Sequence, residues 1–126
     1  MRLSLALLAA CAFGLAAESF PPAEVAILGD IDYAQKSAEM ECSGKPQYCA
    51  LVFNGKSGDV VEVTVSGGER KPFVAFADGS LKELARGSGV ASFTLPEVAE
   101  GLATYYIIFR DPENKPGRFT IELKKK

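Results

Sequence analysis

The sequence predicts an all-β, antiparallel fold of two packed sheets, and three observations carry that expectation. No stretch beyond the first residues sustains a 3.6-residue apolar period. Short runs of period two recur instead, each cut by Gly, Pro, Asp or Asn. The spacing gives about eight strands with no helix between them, which fits a sandwich or barrel. The 126-residue length is that of one domain, and it suits two packed sheets.

The elements follow in order. Met1 to Ala16 reads as an export signal: Arg2 is a short positive start, Leu3 to Phe13 is an uncharged apolar run, and Gly14-Leu15-Ala16 offers small residues to a signal peptidase. The run is too short for a permanent membrane anchor. Residues 17–24 are expected to form an extended leader, stiffened by Phe20-Pro21-Pro22, and the sandwich domain should occupy residues 25–126. Val25 to Leu28 is a weak first strand, and Ile31 to Met40 is ambiguous. Tyr48 to Phe53 is apolar on both faces, as a central strand is. Gly55 to Asp59 is expected to be a hairpin turn, after which Val61, Val63 and Val65 alternate with Glu62 and Thr64.

Phe73 to Ala77 and Leu81 to Ala85 flank Asp78-Gly79, a hairpin signal because both residues tolerate positive φ. Gly87-Ser88-Gly89 turns again, and Ala91, Phe93 and Leu95 form the next alternating set. Thr104 to Arg110 is rich in aromatic and β-branched residues. Asp111 to Gly117 can only turn, and Phe119, Ile121 and Leu123 alternate in the last strand. Lys124 to Lys126 reads as a solvated tail that discourages pairing of that strand with other chains.

The order "YCALVF", "GKSGD", "VVEVTV", "DGS", "TLP", "GLATYYIIF", "GRFTIEL" resembles the bacterial pre-peptidase C-terminal domain. The resemblance runs from about Val25 to Leu123 and rests mostly on the Gly58-Asp59 turn before the valines and on Gly101 leading to Tyr105-Tyr106. It implies a jelly-roll-like β-sandwich of the kind appended to exported peptidases, without catalytic residues of its own. The domain is expected to stand alone, with no peptidase attached.

Chemistry is sparse. The net charge of −2 supplies no basic field for nucleic acid or anionic lipid. Histidine is absent, which removes the usual general base and zinc ligand and excludes Ser-His-Asp or Cys-His catalysis within the chain. The letters Ala50 to Ser57, "ALVFNGKS", match a loose phosphate-loop pattern, but strands on both sides leave no helix N-terminus to face a phosphate. The expectation is therefore a protein that is not an enzyme and needs no cofactor. Calcium is the one ion with candidate ligands, at Asp30 and Asp32 and at Asp111 and Glu113, residue types that are also ordinary turn formers.

Tyr105 and Tyr106 should point to opposite sheet faces, one into the core and one able to stack on a sugar or peptide. Cys42 and Cys49 are too far apart for a C-x-x-C redox pair and lack further ligands for zinc. Export places them in an oxidising compartment, so a disulfide is expected. The functional expectation is a monomeric, exported, non-catalytic module, periplasmic or extracellular, that binds a protein, peptide or cell-surface glycan. The alternative is a structural envelope lipoprotein acylated at Cys11, since Leu8-Ala9-Ala10-Cys11 resembles a lipobox.

Overall fold

The computed structural model describes residues 19–33 and 37–126. The export signal, its cleavage point and Cys11 lie outside the described residues. Nine strands form two sheets: β1 (Val25–Asp30), β2 (Ser37–Cys42), β3 (Tyr48–Lys56), β4 (Val60–Gly67), β5 (Phe73–Ala77), β6 (Glu83–Ser88), β7 (Val90–Thr94), β8 (Leu102–Arg110) and β9 (Gly117–Lys125). One sheet has the order β1-β3-β8-β5-β6 and the other β2-β9-β4-β7. The all-β sandwich is as the sequence predicts.

The inward-facing alternating residues make the main core. Leu51 and Phe53 of β3, Val74 and Phe76 of β5, and Tyr105, Ile107 and Phe109 of β8 meet Val61, Val63 and Val65 of β4 and Phe119, Ile121 and Leu123 of β9. Edge-on aromatic pairs lock this layer, with Phe53 5.9 Å from Phe76 and Phe109 5.7 Å from Phe119 between ring centroids.

Several expectations need correction. The ambiguous stretch contains a ninth strand, β2, whose Ala38, Met40 and Cys42 face inward while Glu39 and Glu41 stay wet. β1 pairs with β3 in parallel, Val25 opposite Tyr48 and Ala26 opposite Cys49, with a bulge between Ile27 and Gly29. All other pairings are antiparallel. A parallel neighbour is possible because β2, lying in the opposite sheet, returns the chain to its starting end.

The turn expected over Gly55 to Asp59 is confined to Ser57–Asp59, because Gly55 and Lys56 still belong to β3, and it is not a hairpin. It carries the chain from β3 in one sheet to β4 in the other. Gly58, at φ +83°, supplies a backbone conformation that costs a side-chain-bearing residue, and its N–H donates to Leu95 O at 3.0 Å. The glycines at 87 and 89 likewise mark a passage between sheets, since β6 and β7 belong to different ones. Among consecutive described strands only β5 and β6 form a hairpin. There Leu81 N donates to Asp78 O and the Asp78 carboxylate accepts from the N–H groups of Ser80 and Lys82. The return strand begins at Glu83 rather than Leu81, which sits at φ +63°. β9 lies between β2 and β4, but its register with β2 stops at Glu122, while Lys124 and Lys125 pair with Glu62 and Val61 of β4. Lys126 donates its N–H to Val60 O and pairs with Glu62.

The leader is not simply extended. Pro22–Glu24 form a 3-10 turn, and Ser19 bridges to Lys82. Phe20 is buried against Ala50, Ala75, Ala77, Leu81 and Ile108 on the outer face of the five-stranded sheet. Its ring sits 5.1 Å from Tyr48 and 6.3 Å from Phe73. An apolar residue with a row of alanines beneath it finds more contact there than in water, and this draws the leader onto the sheet.

Candidate functional site

The strand registers gather the loops β2–β3, β4–β5 and β8–β9 at one end of the sandwich, beside the start of β1. Cys42 ends β2 in one sheet and Cys49 lies near the start of β3 in the other. Their disulfide, with Cα atoms 6.0 Å apart, therefore staples the two sheets together and closes the loop between them. Within that loop Ser43 Oγ donates to Lys45 O at 2.7 Å and accepts from Lys45 N–H at 3.2 Å. Gly44, at φ +84°, packs so tightly against Asn114 that a Cβ would stand 2.7 Å from its carbonyl oxygen. The β2–β3 and β8–β9 loops thus touch where only glycine fits.

Asp111 organises the rest of this end. Its side chain is buried and fully engaged: Arg70 Nη1 donates to both carboxylate oxygens, at 2.9 and 3.1 Å, and the N–H groups of Glu113 and Lys115 donate at 2.8 and 3.3 Å. Burial pushes the Asp111 carboxyl up, but these two backbone donors and the Arg70 guanidinium outweigh it and hold its pKa below the ordinary value. Arg70 also lies 3.6 Å from Glu69 and from Glu113. It ties the β4–β5 loop to the β8–β9 loop.

The expected calcium ligands divide between distant places. Asp30 is exposed at the far end of β1 and Asp32 follows it, whereas Asp111 and Glu113 share the clamp with Arg70. Among the described residues no three acidic, cysteine or histidine side chains converge on a common point. The tyrosine pair separates as expected. Tyr105 is core, 5.6 Å from Phe53, with its hydroxyl pKa raised by burial and then by Asp78. Tyr106 is half-buried on the outer face with the Phe20 cluster. Neither is a freely exposed platform.

Two features went unanticipated: Phe20 as a lid, and Arg70 as a clamp. Nothing in the loop "SGGERKP" singles out Arg70, because its partner lies 41 residues away.

Beside the disulfide the sheets part. A cleft of about 550 Å³ opens between β1 and β2, lined by Ala26, Leu28, Glu41, Cys42, Pro116 and Arg118 among others. Its rim continues onto β1, where Ile27 is 54% exposed and Leu28 37%. On the opposite side of the sandwich, where the chain passes from β6 to β7, a second cleft of about 420 Å³ is lined by Val65, Arg70, Pro72, Gly89 and Val90 among others. No described helix is long and apolar enough to cross a membrane.

No family model matches the sequence, and no curated protein is similar enough to count as a relative. Solved structures do share the fold. The periplasmic lysozyme inhibitor PliG of g-type lysozyme from Aeromonas hydrophila superposes with a TM-score of 0.54 at 14% identity, over 79% of this chain and 97% of that one. PliG from Salmonella Typhimurium gives 0.52 at 20% identity, over 80% and 98%. The pre-peptidase C-terminal domain of Bacillus anthracis collagenase gives 0.54 at 13% identity, over 84% and 100%. The chain therefore has the β-sandwich fold common to pre-peptidase C-terminal domains and PliG inhibitors.

Proposed function

We propose that this protein is an exported, non-catalytic module that binds another protein, using the disulfide-stapled end of the sandwich. The observation that supports it most is how that end is held. Three loops are fixed to one another by Cys42–Cys49, by Arg70 on Asp111 and by the Gly44–Asn114 contact. Loops fixed before binding lose little entropy on meeting a partner, which raises affinity. Several polar groups at this end, Ser43, Arg70 and Asp111 among them, hold loops in place, an arrangement that favours recognition.

The structural neighbours give this reading two specific forms. One is inhibition of a lysozyme, as stated for the two PliG proteins; the other is service to a secreted peptidase, as for the collagenase domain. The test is sedimentation of the purified protein with a panel of secreted lysozymes, g-type included, and secreted peptidases. A one-to-one complex is expected with a member of the panel. Loss of that enzyme's activity in the complex marks the inhibitor form, and unchanged activity marks the accessory form. Turnover of peptide or glycan substrates by the protein alone would overturn the proposal.

A further inference from the structure

We infer that the free edge of β1 takes up an extended, lysine- or arginine-bearing segment of the protein partner as an added strand. The inference rests on the binding-module reading and names the surface and chemistry of the contact. It starts from how the four sheet edges differ. β2 carries Glu39 and Glu41, both facing Arg118. β6 carries the Glu83–Arg86 pair, and β7 shows Ser92 and Thr94 to solvent beside a single exposed apolar residue, Val90. Such polar and charged groups discourage stray pairing. β1, Val-Ala-Ile-Leu-Gly-Asp, has no charge before its last residue and exposes Ile27 and Leu28. Among the described residues only one side of β1 is paired, to β3. An apolar, one-sided edge is what strand addition uses, main-chain hydrogen bonds giving affinity and alternate side chains specificity.

Charge selects the occupant. Glu24 and Asp30 stand at the two ends of β1, Glu41 lines the cleft and Glu39 lies further along β2, with Arg118, the neighbouring Lys45 and Arg110 over the Tyr48 ring as the cations. The rim is net negative, so a cationic strand is attracted and an anionic one repelled. A second copy of this chain fits poorly. A two-fold antiparallel β1–β1 pair would set Glu24 of each copy beside Asp30 of the other, and like charges directly opposite are destabilising. The cleft between β1 and β2 continues the surface, with Leu28 and Pro116 as apolar lining for side chains on the inner face of the added strand.

The probes are three ten-residue peptides: alternating Lys-Val, alternating Glu-Val, and the Lys-Val peptide with alternate backbone nitrogens methylated. The Lys-Val peptide should bind at least about tenfold tighter than either of the others and slow amide exchange only within residues 25–30 and the adjoining cleft. Ile27→Lys should weaken it by about tenfold or more, while Val90→Lys on the β7 edge should leave it unchanged. Both substitutions are at exposed positions, and an unchanged Tm for each shows that the fold is intact. Equal binding of the methylated peptide, protection centred elsewhere, or self-association of the free protein through β1 would overturn the inference. An enzyme complex that forms equally well with Ile27→Lys would overturn it too while leaving the binding-module reading standing. Failure of every peptide and every panel enzyme to bind would end both.

Discussion

The outer faces of the two sheets follow opposite rules. On the four-stranded sheet the outward positions are mostly polar or charged: Glu39 and Glu41 on β2, Glu62 and Thr64 on β4, Ser92 on β7, Arg118 and Thr120 on β9, with Val60 and Val90 as exposed apolar exceptions. Ion pairs such as Arg118–Glu39 at 2.9 Å span it. On the five-stranded sheet the middle outward positions are Ala50, Ala75, Ala77 and Ile108, ringed by Tyr48, Phe73 and Tyr106 and lidded by Phe20, with the exposed Asn54–Thr104 pair further along. Arg86 and Arg110 each lie 5.2 Å from an aromatic ring centroid there, over Phe73 and Tyr48. One face is stabilised by water and the other by the chain's own N-terminal segment. The first needs no partner, and the second is buried only while the leader stays docked.

That difference is broken most directly at Phe20. Phe20→Ala should cost about 3 kcal/mol, the usual range for a buried phenylalanine, read as a lower midpoint in urea. It should also raise binding of a hydrophobic dye, because the alanine floor becomes wet. A loss as small as that of an ordinary surface change would mean that the lid contributes nothing and that the two faces are equivalent.

The staple between the sheets comes next. Cys42→Ala with Cys49→Ala should lower stability by about 2.5 kcal/mol in the chain-entropy model for a loop of about eight residues. Unreduced protein should take no alkylating label at either cysteine. Labelling without reductant would refute the covalent link.

How much of this contrast was legible in the sequence depends on range. The valines of β4 and the alternation in β9 name one wet and one dry face directly, and "YCALVF" reads correctly as buried on both. What covers the second face was hidden. "FPP" has no strand or helix pattern, and Phe20 meets Tyr48 and Phe73 only after the sheet has formed. Sheet membership was hidden for a related reason. Gly58-Asp59 and Asp78-Gly79 have the same turn chemistry, yet one passes between sheets and the other joins neighbours, a choice made by packing. The parallel pairing of β1 was equally silent, because a strand's own pattern does not state its neighbour's direction. At the loop end the disulfide was readable from cysteine spacing and export. Asp111 was noticed as a possible calcium ligand, whereas its carboxylate is taken by Arg70 and two backbone N–H groups.

Asp111 gives the third prediction. Its folded pKa lies below the ordinary value of an aspartate, so the folded state holds the carboxylate more strongly than the unfolded chain does. The resulting stability is fully present above about pH 4 and is lost as pH falls through the lower, folded value. Asp111→Asn should remove that slope, making stability flatter below pH 4 and lower at neutral pH. Tyr33 provides the alkaline counterpart. Burial, and then the Asp59 carboxylate to which its hydroxyl donates at 3.3 Å, push its pKa to about 12. Its neutral form favours the folded state, so this contribution is intact below pH 10 and fades as pH rises toward 12. An absorbance titration of wild type against Tyr33→Phe would show one late-titrating tyrosine disappear.

The smallest effect is expected on the wet face. Glu39→Gln removes the closer partner of Arg118 in a pair whose two side chains are both more than half exposed. In water such a pair gains little, because solvent screens the charges and ordering two long side chains costs entropy. The Tm should therefore move by less than about 1 °C, and raising the salt concentration should shift wild type and variant alike. The wet face should tolerate the change because water replaces what Glu39 supplied, whereas nothing replaces Phe20 over the alanines. A Tm loss for Glu39→Gln as large as that for Phe20→Ala would mean that the charged face, too, is held by specific contacts.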